Sequence, residues 1–213
     1  MAKGPVGQGA RVDLHTFYYN ERMDTRTKLT EAMAELLWER GYAATSPHEV
    51  MARSGVGQGS LYHHFSGKRD LAVQAFRNTA ADMTSAPTPL DDDGSPLERL
   101  QRYLQVPRAG VRGCRVGRMT QDPQVVADAE LMTVVASAFD TMLTRWERTI
   151  GEAVRAGELP AGTVPSDLAR TLAAVIQGGY VLARAQGSQE PMDAAIRGAV
   201  SLLDAARVAA SHD

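Results

Sequence analysis

Residues 55–71 read GVGQGSLYHHFSGKRDL. Glycines at positions 55, 57 and 59 come first, then a tyrosine and two adjacent histidines, and the basic pair Lys68-Arg69 closes the stretch. Three kinds of site use such residues: a phosphate-binding loop, a metal site, and a surface that docks on a large charged partner. The flanking sequence decides among them.

Helical patterns precede this stretch. Apolar residues recur at helical spacing between Thr25 and Gly41, which predicts one helix that ends at the glycine. Ser46 and Glu49 have the spacing of a capping box, and a proline follows the serine. A second, short helix is therefore expected over 47–54.

Two of the three interpretations fail on pattern. A phosphate-binding loop requires a preceding strand and a closing Lys-Ser/Thr, and neither is present. His63 and His64 would point about 100° apart on a helix, whereas paired metal ligands need a spacing of three or four residues. No cysteine or carboxylate stands at those offsets. No metal and no cofactor is therefore expected.

The third interpretation uses more of the residues. Two short helices, 47–54 and about 58–65, joined by a glycine turn match a helix-turn-helix, whose second helix enters the DNA major groove. Leu61 and Phe65 would face inward, while Gln58 and Ser60 could reach base edges. The alternative is that these polar residues are merely solvated over an ordinary core.

A family resemblance favours the DNA interpretation. The segment Thr25 to Leu71 resembles the N-terminal domain of TetR-family transcriptional regulators, through ERGY-x-x-TS (39–46), AR-x-GV (52–56) and G-x-LYHHF-x-x-K-x-x-L (59–71). The resemblance implies that Thr45 and Ser46 bind phosphate at the start of the second helix. It implies that bases are read at the start of the third helix, by Gln58, Gly59 and Ser60. It further implies that the DNA backbone is contacted by Tyr62, His63 and Lys68. Gly57 departs from the usual Ser or Thr and loses a helix cap. Gln58 stands where a basic residue is common.

The remaining chain predicts more helices. Residues 84–96, TSAPTPLDDDGSP, form a linker, and helical segments follow at 96–105, 111–121, 124–156, 165–187 and 191–211. No strand-like alternation is present. We therefore predict an all-α fold of about nine helices: a flexible N-terminal arm (1–24), a three-helix helix-turn-helix DNA-binding domain (25–83) with a connecting helix (66–83), and a C-terminal helical domain (96–213) for ligand binding and dimerisation.

The resemblance places a small-molecule pocket and a dimer interface in that C-terminal domain. Bulky aromatic and methionine side chains are the pocket candidates: Tyr103, Met119, Phe139, Met142, Trp146 and Tyr180. Apolar stripes on the last two helices are the interface candidates: Leu168, Leu172, Val175, Gly179, Leu182, Ile196, Ala199 and Leu203. Packing within one chain is the alternative for each. Three arginines recur every three residues: Arg112, Arg115 and Arg118. If 111–121 is helical, they share one face of that helix. They would then bind an anionic ligand, pair with acidic residues or face solvent.

Composition restricts the functional class. The 213-residue chain carries a net charge of −2 and a single cysteine, Cys114, so an intramolecular disulfide framework is excluded. No secretory leader or long apolar run is present, which predicts a cytoplasmic protein without a membrane partner. No nucleophile–base constellation is visible, so no catalytic residues are expected. We predict a ligand-responsive transcriptional regulator, a homodimeric repressor released from a palindromic double-stranded DNA operator by a small-molecule effector. A helical adaptor or an all-α enzyme without DNA binding is the alternative.

Overall fold

The computed structural model describes residues 24–85 and 87–210, which contain nine α-helices and no β-strand. The helices are α1 (Thr25–Arg40), α2 (Pro47–Ser54), α3 (Gln58–His64), α4 (Lys68–Thr84), α5 (Pro96–Gln105), α6 (Pro123–Val126), α7 (Ala129–Arg155), α8 (Pro165–Gln186) and α9 (Glu190–Ala210). The predicted all-α class is confirmed. The predicted arm over 1–24 lies, except for Asp24, outside the described residues. No described helix has the length and apolar character needed to cross a membrane.

Local sequence signals set the ends of the first helices. α1 buries apolar residues at helical spacing and ends at Gly41, whose φ of 86° is a conformation that glycine adopts without strain. Ser46 and Glu49 form the predicted capping box at the start of α2. α3 begins at Gly57 without a side-chain cap, as expected for a glycine at that position.

The segment predicted to be helical over 111–121 is instead irregular. It contains two 3-10 turns, Gly110–Arg112 and Gly117–Gln121, and Gly113 between them has a φ of 86°, which an α-helix cannot contain. The prediction that the three arginines of this segment share one helix face is therefore wrong.

The segment predicted as one helix over 124–156 is divided in two. The side chain of Asp128 accepts hydrogen bonds from the backbone N–H groups of Glu130 and Leu131 and caps a new helix, α7, after the short α6. α7 is 27 residues long, about 40 Å at the α-helical rise.

Two hydrophobic cores lie along α7. The first joins α1–α4 with the first half of α7, through residues such as Leu36, Leu61 and Val135. The second joins α5, α8 and α9 with the second half of α7, around Trp146 and Ile150. Because one long helix contributes to both cores, the helix-turn-helix is fixed directly onto the C-terminal helices.

Candidate nucleic-acid interface

α3 presents one buried and one open edge. Leu61 is completely buried and Phe65, immediately after the helix, is 2% exposed, so both anchor α3 in the first core. On the opposite edge Tyr62 is 52% exposed, and the predicted base-reading residues Gln58, Gly59 and Ser60 are exposed together with His63. The outer edge of α3 is thus available to a partner.

The start of α3 is free of obstruction. A Cβ atom built on Gly57 or on Gly59 would meet no other described atom within 4 Å, the local chain aside. Neither glycine is therefore needed for packing inside the protein. Both leave room for a close approach of the α3 backbone to an external surface.

Lys68 is held in place by an aromatic ring that sequence reasoning missed. Its Nζ lies 4.1 Å from the centroid of the Tyr42 ring, a cation–π geometry. Burial lowers the pKa of Lys68, and the negative charges of Asp122 and Glu49 oppose that effect. Tyr42 belongs to the ERGY motif, and its place in that motif was the available signal. The ring keeps the ammonium beside α3.

The two predicted phosphate contacts at the start of α2 differ. Thr45 is 2% exposed, and its hydroxyl donates to the carbonyl oxygen of Gly41 at 2.7 Å. The turn after α1 uses that hydroxyl internally, so the structure does not present the Thr45 side chain for the phosphate contact that the resemblance implies. Ser46 is half-buried; its Oγ accepts from the backbone N–H of Glu49 and donates to the Glu49 carboxylate at 2.9 Å.

Nearby arginines are already paired. Arg40 bonds the carboxylate of Glu49, and Arg53 makes two hydrogen bonds of 2.7 Å to Glu39. The Arg53 guanidinium holds the pKa of Glu39 below its ordinary value. The positive charge of the helix-turn-helix face is correspondingly reduced.

Comparison with known proteins matches this arrangement to one family. The family model of bacterial regulatory proteins, tetR family, matches residues 29–75, which run from the second turn of α1 through α2 and α3 into the first half of α4. The model of the tetracyclin repressor-like C-terminal domain matches residues 96–199. The chain belongs to the TetR family. It is a DNA-binding transcriptional regulator, as the sequence predicted, and response to a ligand is typical of this family.

Relatives extend over most of this TetR-family chain. The HTH-type transcriptional repressor DhaR of Mycobacterium sp. (strain GP1) is 25% identical over 176 residues, which are 81% of this chain and 88% of DhaR. The crystal structure of regulatory protein TetR from Rhodobacter sphaeroides has a TM-score of 0.71 at 26% identity and covers 83% of this chain and 97% of that one. The HTH-type transcriptional repressor KstR2 of Mycobacterium tuberculosis is 34% identical over 77 residues, 36% of this chain and 38% of KstR2.

The predicted pocket residues of this regulator separate into three groups. Phe139 and Tyr180 line a cavity of about 170 Å³ between the 117–121 turn and α8. Met119 and Trp146 are completely buried and fill the two cores, so neither side chain borders that cavity in this structure. Tyr103 and Met142 are half-buried and pack on the second core, with the Tyr103 ring 5.4 Å from that of Trp146.

The predicted interface residues also separate. Four are buried within the chain and are not available to a partner, because α8 and α9 pack on each other, α8 also packs on α7, and α9 packs on α5; these are Leu172, Gly179, Ala199 and Leu203. Leu168, Val175 and Ile196 are partly buried against the second core. Leu182 is 51% exposed. Val181 and Leu202 are 56% and 72% exposed but were not among the predicted residues. The predicted apolar stripes on the two helices lay about one residue away from the face that the structure exposes.

No group of three or more histidine, cysteine or acidic side chains in the described part of the chain could hold a metal ion. Cys114 is half-buried, and its sulfur accepts the backbone N–H of Gly117 at 3.2 Å.

Proposed function

We propose that this TetR-family protein is a repressor that binds a palindromic operator as a homodimer and releases it when a small molecule occupies the C-terminal domain. The exposed polar edge of α3, opposite the anchors Leu61 and Phe65, is the observation that carries the proposal. The repressor DhaR, similar over most of both chains, supports the sign of regulation.

The proposed DNA contacts follow from the geometry of α3. Gln58 and Ser60 would face base edges in the major groove, where a glutamine can pair bidentately with adenine. Tyr62, His63 and the ammonium of Lys68 would contact phosphates on either side and fix the register. Ser46 would add a contact at the start of α2 by exchanging its present acceptor, the Glu49 carboxylate, for a phosphate oxygen.

The proposed dimer uses the outer face of α8 and α9. Val181, Leu182 and Leu202 are large apolar residues that are more than half exposed on two neighbouring helices. Exposed apolar patches of this kind mark protein–protein contacts. Two copies related by a two-fold axis would form a four-helix interface and place the two α3 helices about 34–36 Å apart, one turn of DNA.

The proposed effector site is the cavity lined by Phe139 and Tyr180. It is bounded by the 110–121 segment, which also contacts α1: Trp38 Nε1 donates to the carbonyl oxygen of Gly113 at 2.8 Å. A ligand that prefers a different position of this segment would shift the population away from the DNA-binding arrangement.

Mobility-shift titrations against native genomic fragments test the proposal. Tyr62→Ala and Lys68→Ala should weaken binding of every fragment that the wild type binds. For Lys68→Ala, the slope of log affinity against log salt concentration should also fall by about one. Gln58→Ala should change the preferred base at one position in each half-site. Ser201→Ala, exposed on α9, is the control. Unchanged binding by all three α3-side variants would refute the DNA interface and favour a helical adaptor.

The proposal assigns no catalytic role to the protein, since regulation of an operator needs none. Contact with chromosomal DNA would place it in the cytoplasm.

A further inference from the structure

We infer that the effector is a small organic anion with an apolar or aromatic body, whose charged group is held by Arg118 and Arg184. The regulatory meaning of this inference rests on the proposed function; the binding chemistry does not.

The lining of the cavity of about 170 Å³ is cationic. Two arginines and several neutral polar residues border it, and none of its lining residues is acidic. The lining residues are Gly113, Cys114, Gly117, Arg118, Thr120, Gln121, Phe139, Gln177, Tyr180, Val181 and Arg184. Phe139 and Val181 add apolar surface. The space therefore combines a double positive charge with walls suited to a hydrocarbon group.

Neither arginine has a carboxylate partner among the described residues. Arg118 donates to the backbone carbonyl oxygens of Trp38 and Glu39, the latter at 2.7 Å. The side chain of Arg184 makes no hydrogen bond or ion pair with any described residue. Burial, and then the nearby charge of Arg184, lower the pKa of Arg118, with Asp122 acting in the opposite sense. Two like charges at one cavity repel, and a bound anion would offset that repulsion.

Two other arginines of the same segment share a carboxylate partner, which Arg118 and Arg184 lack among the described residues. Arg112 and Arg115 bond the carboxylate of Glu35 at 3.0 and 2.6 Å and stack on the Trp38 ring. On the outer side, Arg118 and Arg184 also border a groove with Glu39, but that carboxylate is held by Arg53.

Tyr180 offers a neutral donor to the same ligand. Burial raises the pKa of Tyr180 to about 12, so its phenol keeps its proton at physiological pH. The hydroxyl has no hydrogen-bond partner among the described residues. A carboxylate, sulfonate or phosphate oxygen is the acceptor that such a donor would select in a cavity that Arg118 and Arg184 also line.

The body of the ligand has space next to this charged end. A second cavity of about 460 Å³ shares Gly113, Cys114 and Tyr180 with the first. Trp38, Met83 and Pro107 supply apolar wall, while Asp82, Arg108 and Arg115 stand at its border. The Arg108 guanidinium donates to the backbone carbonyls at 103, 104 and 106 and, like Arg118, has no carboxylate partner among the described residues, so this second cavity is also cationic.

Occupancy would reach the DNA-binding domain through Arg118. Its present acceptors, the carbonyl groups of Trp38 and Glu39, lie in the last turn of α1. An anion that draws this guanidinium into the cavity would remove a cation from the C-terminal end of α1, where the helix dipole favours one.

Fluorescence titration of the full chain without DNA tests the inference. The probes are 1-anilinonaphthalene-8-sulfonate and its uncharged parent, N-phenyl-1-naphthylamine. The sulfonate should bind at least about tenfold more tightly, a difference of about 1.4 kcal/mol. Arg184→Gln should weaken sulfonate binding about tenfold and leave the neutral probe unchanged, with Arg184→Lys in between. Arg170→Gln, also exposed on α8, is the matched control.

Equal affinity for the two probes, or sulfonate binding that Arg184→Gln leaves unchanged, would overturn the inference. Arg184 is the decisive position because its replacement breaks no side-chain hydrogen bond or ion pair with the described residues, whereas Arg118→Gln also removes the hydrogen bonds to α1. A protein that binds the sulfonate as expected but no genomic DNA would refute the proposed function and leave this inference standing. A protein that binds operator DNA but shows no preference for the sulfonate over the neutral probe would refute this inference and leave the proposed function standing.

Discussion

The side chain of Asp122 accepts a hydrogen bond from the backbone N–H of Ala43, with 2.8 Å between Oδ2 and the nitrogen. Ala43 lies in the turn between α1 and α2, and Asp122 also caps α6, through Oδ1 and the backbone N–H groups of Gln124 and Val125. One carboxylate of the C-terminal domain thus holds the turn that leads into the helix-turn-helix.

Asp122→Ala should lower the free energy of unfolding by about 1–3 kcal/mol, because a helix cap and a cross-domain hydrogen bond are lost together. Asp122→Asn keeps only one acceptor oxygen, so it can preserve the cap of α6 or the bond to Ala43 but not both, and its stability should lie between those of Asp122→Ala and the wild type. Urea denaturation measures both. Asp140→Ala, exposed on α7, is the control and should be neutral. An equally neutral Asp122→Ala would mean that the bond to Ala43 contributes little.

Gly57→Ser should raise operator affinity. The hydroxyl would cap α3, which now starts without a side-chain cap, and would offer one further phosphate contact. One hydrogen bond of about 1 kcal/mol corresponds to about fivefold in the dissociation constant. Stability should change by only a few tenths of a kcal/mol. Mobility-shift titration is the measurement, with Gly162→Ser, also free of neighbours within 4 Å, as the comparison. A serine at 57 that weakens DNA binding would place that backbone too close to the duplex for a side chain.

Asp128→Asn should alter stability in acid. Hydrogen bonds from Arg69, at 2.5 and 2.9 Å, lower the pKa of Asp128 to about 2, against about 4 in an unfolded chain. A lowered folded-state pKa stabilises the protein above pH 4, and that contribution is lost as the pH falls from about 4 to 2. Asparagine can still cap α7. The stability difference between wild type and variant should therefore shrink over that interval in pH-dependent urea melts. A constant difference would show that the charge of Asp128 is not involved.

Leu202→Glu should convert the dimer to a monomer, since Leu202 is 72% exposed on the proposed interface. Its neighbour Leu203 is 3% exposed and belongs to the second core, so Leu203→Ala should instead lower the free energy of unfolding by about 2–4 kcal/mol. Sedimentation equilibrium reports the mass and denaturation reports the stability. Leu202→Met, which keeps the apolar surface, should remain dimeric. A Leu202→Glu protein that is still a dimer would place the interface elsewhere.

Features set by neighbouring residues could be predicted from the sequence. The capping box of Ser46 and Glu49, the end of α1 at Gly41 and the missing cap at Gly57 each depend on a few adjacent positions, and the structure confirms all three. The family motif then identified the helix-turn-helix and its exposed residues.

Features set by long-range packing could not be predicted in this way. Successive residues on an α-helix are 100° apart, so a stripe placed one residue out of phase exchanges Leu202, which faces out, for Leu203, which faces in. The inward turn of Thr45 depends on the carbonyl of Gly41. The contacts between the 110–121 segment and α1 join residues almost 80 positions apart, and no local pattern reports them.

The pairing of Arg40 and Arg53 with Glu49 and Glu39 has a consequence for how operators are found in a cell. An arginine that is already paired with a carboxylate of the same protein releases no counterion from DNA. This pairing therefore lowers the affinity of the described helix-turn-helix residues for DNA of random sequence. Non-target sites on the chromosome are very numerous, and together they compete with the operator for the protein. A lower affinity for each of these sites therefore leaves more protein molecules free to bind the operator. A small number of copies per cell would keep an operator occupied.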